Sequence, residues 1–286
     1  MKINATAKRA SRLHEMLRSK EGVVLDKDGV LIDNSGLVFA NLQLGFHRAG
    51  EPFNFEKRLV WSLNGIDRSF MGTKPIMALL CMNKLANICG EKDPNSLLRE
   101  ILSKADAPHI LTKIINSHTT EDDHSKAEEI YWHDGGSFFN SEEGTGHLRQ
   151  SFRAREALER LLGLYSGKVA ILTNAPKRSS VERNLKKTGF GELTDHLLIL
   201  TGEDVVNSKP NPEGLYTISR KLGIKIPSLF FVGDSVTDID TAKGCGMDSV
   251  ALYGGAGFPI HLKNARPTAT ALNVMSVAEA SQVKRG

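Results

Sequence analysis

Short apolar runs recur along the chain at residues 22–25, 169–172, 197–200, 229–232 and 249–253. Each is four or five residues long, and most lack the polar alternation of a half-solvated strand, so they predict strands buried on both faces. Between the later runs the period changes to that of a helix. Ala154, Ala157, Leu158, Leu161 and Leu162 share one face, and Val181 and Leu185 share another. Strand and helix in alternation predict a doubly wound parallel sheet, an α/β Rossmann-like core with right-handed crossovers.

The first interval breaks this rhythm. Asp26 and Thr173 lie 147 positions apart, far more than one crossover requires. The pattern within it is helical: residues 38–49, 73–88, a stretch opened by Asp93 and Pro94 as N-cap and first-turn proline, residues 108–116 and residues 120–132. An inserted all-helical domain over residues 36–147 follows, with residues 133–147 as its return linker and the core built from 21–35 and 148–286. Near the start, Ala10, Leu13 and Leu17 form the apolar face of a basic amphipathic helix within residues 1–20.

Charge changes the picture less than its total suggests. The formal net charge is +4, but residues 1–20 hold six Lys or Arg against Glu15 alone, so the other 266 residues together carry −1. Nothing in that body announces a nucleic-acid partner. No apolar run reaches membrane-spanning length and no secretory h-region stands near the start, so no membrane partner is expected. Three cysteines without zinc-ligand spacing fit a reducing, cytoplasmic setting. The sequence leaves open whether the basic segment packs on the core, addresses the protein elsewhere or supports a homo-oligomer.

Ligands of open α/β sheets bind at the carboxyl ends of strands, and here those ends are rich in reactive groups. The first run exits into Asp26-Lys27-Asp28-Gly29-Val30-Leu31. Residues i and i+2 of an extended chain point the same way, so Asp26 and Asp28 can face one cavity, where two carboxylates repel unless a cation or shared proton relieves them. The second run ends at Thr173-Asn174, either of which could instead cap the next helix. Lys209-Pro210-Asn211-Pro212 follows the third run, a solvated loop charge or a rigidly placed cation. After the fourth, Asp234 and Asp238 stand at i and i+4, a costly like-charge pair that a divalent ion would turn into ligands, while helix N-terminal charge needs only one of them.

Four such segments in this order, with a helical insert after the first, resemble the haloacid dehalogenase superfamily, within it the phosphatases with a helical cap. Asp26 to Leu31 is similar to its first motif, Leu172-Thr173-Asn174 to its second, Lys209-Pro210 to its third and Gly233 to Asp238 to its fourth. The resemblance implies a Mg²⁺-dependent phosphatase acting on a small phosphorylated metabolite. Asp26 would be the nucleophile forming an aspartyl-phosphate, and Asp28 the acid and base. Asp26, the Asp28 carbonyl and Asp234 would hold Mg²⁺ with support from Asp238. Thr173, Asn174 and neighbouring amides would bind phosphoryl oxygens, and Lys209 would neutralise charge.

The same resemblance separates activities. Dehalogenases need neither magnesium nor the second acid, so Asp28, Asp234 and Asp238 argue for phosphorus chemistry. Sugar-phosphate mutases of the β-phosphoglucomutase type share a cap segment G-x-x-R, similar to Gly65-Ile66-Asp67-Arg68 here, which marks Arg68 as a candidate contact for an anionic substrate group. They also carry a histidine shortly after the first motif, where this chain has Ser35 to Val38, and Glu-Asp where it has Gly233-Asp234. Phosphoglycolate or another small phosphate ester is therefore the expected substrate class, with a mutase as alternative and a non-catalytic phosphometabolite-binding protein behind it. Glu121, Asp122 and Asp123 are expected to be an acidic helix start, and Gly254-Gly255-Ala256-Gly257 a loop beside the site.

Overall fold

In the computed structural model, which describes residues 12–64, 73–88, 93–132 and 137–282, each of the five apolar runs carries a strand. They are β1 (Gly22–Leu25), β4 (Val169–Leu172), β5 (Leu198–Leu200), β6 (Leu229–Gly233) and β7 (Asp248–Leu252), joined by β8 (Ala269–Ala271). All pair in parallel, in the order β5-β4-β1-β6-β7-β8. Successive residues of β6 face opposite layers. Phe231 joins Leu215, Ile218 and Ala242 in one cluster, while Phe230 meets Tyr165 at 5.7 Å between ring centroids. With each apolar side chain worth about 1.5–3 kcal/mol on full burial, a strand apolar on both faces is stable only between two helical layers. The core is thus α/β and Rossmann-like.

This order has one reversal. The chain builds outward from β1 through β4 to β5, then returns to place β6 on the other side of β1. The crevice at such a switch point opens where the carboxyl ends of β1 and β6 lie side by side. β8 was not expected; the sequence Ala-Thr-Ala lacks apolar bulk, and an edge position asks for little of it. A further antiparallel pair, β2 (Ile32–Asp33) with β3 (Arg149–Gln150), lies where the chain leaves the core and where it re-enters.

The chain divides into two compact units, the first containing residues 12–33, 149–257 and 265–282 of the described chain, the second Asn34–Leu148 together with Phe258–Asn264. The second is helical. The helix Lys74–Ile88 buries Ile76 through Met82, and the helices Pro94–Leu102, Ala107–His118 and Glu121–Trp132 pack against it. The Asp93 side chain accepts from the N–H groups of Asn95 and Ser96 at 3.2 and 3.1 Å, an N-cap ahead of Pro94. In the first turn of the helix Glu121–Trp132, Asp123 accepts from Thr120 N–H and hydroxyl and from Lys84, and the Thr120 hydroxyl accepts from Asp123 N–H at 3.3 Å.

Three expectations change here. A helix Lys57–Asn64, unmarked in the sequence, forms because Leu59, Val60 and Leu63 close one apolar face. The expected return linker contains the helices Ser137–Asn140 and Glu142–Thr145, the latter capped by the Ser141 hydroxyl accepting from Gly144 N–H at 2.9 Å. Residues 258–264, expected in the core domain, group with the helical unit. Phe258 packs on its apolar cluster, and the buried His261 ring lies 3.0 Å from the Leu102 carbonyl.

The described part of the basic segment is helical over residues 12–17, with Leu13, Met16 and Leu17 buried in the first unit. Lys20 is buried too, donating to Asp248 at 2.5 Å and to the Pro227 carbonyl at 2.6 Å. No helix of the described residues is long and apolar enough to cross a membrane.

Candidate active site

Asp26 continues β1 by one residue, its N–H donating to the Val232 carbonyl at 2.9 Å. That bond sets its buried carboxylate against the end of β6, which delivers Asp234. Ser235 then caps the helix Val236–Gly244. In the reciprocal capping box, the Asp238 Oδ2 accepts from Ser235 N–H at 3.1 Å, from Ser235 hydroxyl at 2.7 Å and from Asp234 N–H at 3.2 Å. Among the described residues, Asp26, Asp234 and Asp238 form the one group of three such side chains that could hold a metal, each offering an oxygen within 4.8 Å of the others.

Lys209 is the cation between them. Its buried ammonium donates to Asp26 Oδ1 and to Asp238 Oδ1, both at 2.7 Å, and stands 5.5 Å from the centre of the Phe231 ring. Asn174 aims it. That side chain accepts from Lys209 N–H at 2.9 Å and donates to the Lys209 carbonyl at 3.0 Å. Both polar ends of Asn174 are therefore spent on placing the lysine, a task the sequence did not show. Thr173 is buried beside it, with its Oγ1 accepting from Ala175 N–H at 3.2 Å.

Asp28 takes a different environment. Its side chain is 34% exposed and pairs with the neighbouring Lys27 at 2.7 Å. Arg68 lies outside the described residues.

Glycines make room for these acids. Gly29 adopts φ +76°, and a Cβ built there would stand 1.8 Å from Asp234 Oδ2. A Cβ at Gly255 would stand 2.2 Å from the Asp234 Cβ, and the next residue, Ala256, donates its N–H to Asp234 Oδ2 at 2.6 Å. The loop 254–257 thus lies against the acidic cluster. A Gly29→Ala variant combines a disfavoured backbone with displacement of Asp234. It is expected to lose at least about tenfold in divalent-cation affinity by calorimetry, the scale on which supporting groups act on metal sites.

Burial shapes the electrostatics. It is the largest influence on Asp26, pushing its pKa up to about 7; Lys209 pulls against it, while Asp238 and Asp28 add to it. Burial, then Asp238 and Asp26, push Asp234 well above the carboxylate range despite the Ala256 N–H and Lys209. For Lys209, burial opposes the charge, but Asp238 and Asp26 outweigh it and raise its pKa. With all four carboxylates ionised, the two ammonium groups, Lys27 and Lys209, leave a formal deficit of two positive charges, which is why the buried acids hold on to protons when no cation is bound. One divalent cation on an all-oxygen donor set would balance it.

Residues 137–252 match the model of haloacid dehalogenase-like hydrolases. The phosphoglycolate phosphatase of Pectobacterium atrosepticum is 35% identical over 99 residues, which are 35% of this chain and 41% of that protein. The chain spans less than half the length of the curated relatives it matches first. Solved structures similar to this chain include a protein assigned as a phosphoglycolate phosphatase from Lactobacillus delbrueckii, with TM-score 0.64 and 18% identity over 91% of this chain and 97% of that one. Another, assigned as a β-phosphoglucomutase from Thermotoga maritima, has TM-score 0.54 and 19% identity over 92% and 99%. At such identities the likeness is one of fold.

Proposed function

We propose that this chain, similar to haloacid dehalogenase-like hydrolases in sequence and in fold, is a Mg²⁺-dependent phosphatase of small phosphorylated metabolites, with phosphoglycolate as the leading class. The observation that carries the reading is Lys209 held between Asp26 and Asp238 with Asp234 alongside, at the carboxyl ends of the two central strands.

Asp26, Asp234, the main-chain carbonyl of Asp28 and, directly or through its neighbours, Asp238 would hold Mg²⁺. When bound, that ion supplies positive charge to the phosphoryl oxygens. Asp26 attacks phosphorus as the ester bond breaks, and Asp28 gives a proton to the leaving oxygen. Water then attacks the aspartyl-phosphate, and Asp28 takes its proton as Asp26 is released. Lys209 stands beside the attacking carboxylate and neutralises charge on the transferring group. Thr173 and the amides after it receive phosphoryl oxygens. Asn174 supports that task by aiming Lys209, and Arg68 remains the proposed contact for a second anionic group.

Hydrolysis of p-nitrophenyl phosphate, followed by a panel of alkyl phosphates including 2-phosphoglycolate, tests the reading. Phosphate release is expected to fall by on the order of 100-fold when EDTA replaces Mg²⁺. No turnover of any ester would overturn it, and isomerisation of a hexose 1-phosphate dependent on a bisphosphate would replace it with a mutase.

A further inference from the structure

Lys27 is buried at 4% exposure between two acids proposed for the chemistry. The run before it, Gly22 to Leu25, is entirely buried, and an apolar side chain would fill the place at no electrostatic cost. A buried ammonium persists only with a partner, and the partner here is Asp28, whose Oδ1 lies 2.7 Å away. β1 ends at Leu25, so Lys27 lies in the turn that follows the strand, and there it returns its charge to its own neighbour.

The rest of the turn fixes where that charge sits. The Lys27 carbonyl accepts from both Leu31 N–H and Ile32 N–H at 3.0 Å, and Gly29 N–H donates to the Ile32 carbonyl at 2.7 Å. Asp28, by contrast, is a third exposed, and Lys27 is the one side chain bonded to it among the described residues. Without that bond no other side chain among the described residues holds its carboxylate against rotation into solvent. With it, Oδ1 is tethered and Oδ2 stays open.

On the phosphatase reading, on which this inference rests, we propose that Lys27 is a positioning residue for proton transfer, tethering Asp28 by one oxygen so that the other faces the bond being broken. Lys27 itself gives up no proton. In the first displacement the Asp26–phosphorus bond forms, the ester oxygen–phosphorus bond breaks, and the proton on Asp28 passes to the departing alcohol. In the second the water–phosphorus bond forms, the Asp26–phosphorus bond breaks, and the water proton passes to Asp28. Esters whose leaving group needs no proton do not depend on the tether in the first step, whereas alkyl esters do so in both.

The experiment compares wild type with Lys27→Met, Lys27→Gln and Lys27→Arg, using full-length protein whose folding and Mg²⁺ binding are checked by circular dichroism and calorimetry. The pre-steady-state burst of nitrophenol from p-nitrophenyl phosphate is set against turnover of the alkyl phosphate that wild type hydrolyses fastest. In Lys27→Met and Lys27→Gln the alkyl rate is expected to drop about tenfold further than the burst, with acid-stable phosphoenzyme accumulating during p-nitrophenyl phosphate turnover. Lys27→Arg restores most of the ratio. Burst and alkyl rates falling together, or neither falling, would overturn the tether, and Lys27→Gln reads this out if Lys27→Met does not fold. A wild type without phosphatase turnover would overturn the phosphatase reading itself, and the tether with it.

Discussion

An Asp26→Asn variant is expected to fold and to hydrolyse p-nitrophenyl phosphate on the order of 10⁴-fold more slowly than wild type. The substitution is almost isosteric, and the main-chain bond from Asp26 to Val232 that extends β1 is untouched. The amide oxygen can still accept from Lys209, but it cannot form the acyl-phosphate bond. Without a bound divalent cation a second effect follows. Wild-type Asp26 holds its proton to about pH 7, because burial outweighs the pull of Lys209, whereas an unfolded aspartate loses it near 3.9. Between those values the folded state binds more protons, so this group makes stability fall as pH rises from about 4 to about 7. The Asn variant should show a shallower fall in urea unfolding, and Mg²⁺ should flatten the wild-type curve toward it. Turnover within tenfold of wild type would remove Asp26 as nucleophile.

Lys209→Met should cost both activity and stability. The loss of the cation beside the transferring phosphoryl group is expected to lower kcat by about 10³-fold, the scale of removing one preorganised donor. Three buried carboxylates are then left with no ammonium between them. Breaking a buried pair from one side typically destabilises by about 3–5 kcal/mol. The pH dependence identifies the cause. Asp238 and Asp26 raise the lysine pKa above its ordinary value, so in wild type its contribution is fully present below about 10.4 and is lost only as pH passes the raised value. Over pH 5 to 8 it is constant. In the variant Asp26 and Asp234 lose the pull of Lys209 and take up protons more readily than in wild type, so the deficit should be several-fold smaller at pH 5 than at pH 7.5. Chemical denaturation at the two pH values measures it, and an equal loss at both would assign Lys209 a packing role instead.

The placement of the candidate site was legible to an unusual degree. Asp26, Thr173, Lys209 and Asp234 each follow a short apolar run, and parallel strands bring their carboxyl ends to one edge of the sheet however long the intervals between them. Less was legible where a side chain has two partners to choose from. Asn174 could have faced a ligand, but its amide closes on the backbone of Lys209, 35 positions further on. Asp238 could have been a free ligand or a cap, and its two oxygens divide between the helix start and Lys209. Lys27 sits in plain view within the first motif, yet nothing in local pattern distinguishes a buried lysine from a solvated one.

The helical unit shows the same division. Asp93 before Pro94 announces a helix because capping is a matter of adjacent residues. That residues 258–264 join this unit depends on Phe258 and His261 meeting groups more than a hundred positions away. Periodicity and caps act over a few residues, and they sufficed to determine a parallel α/β core and to predict an inserted helical domain and the strand ends where chemistry would lie. The tertiary structure alone decided which carboxylate each lysine neutralises, which glycines give Asp234 its room and which unit a late helix joins, since those outcomes rest on pairings in space that no local pattern records.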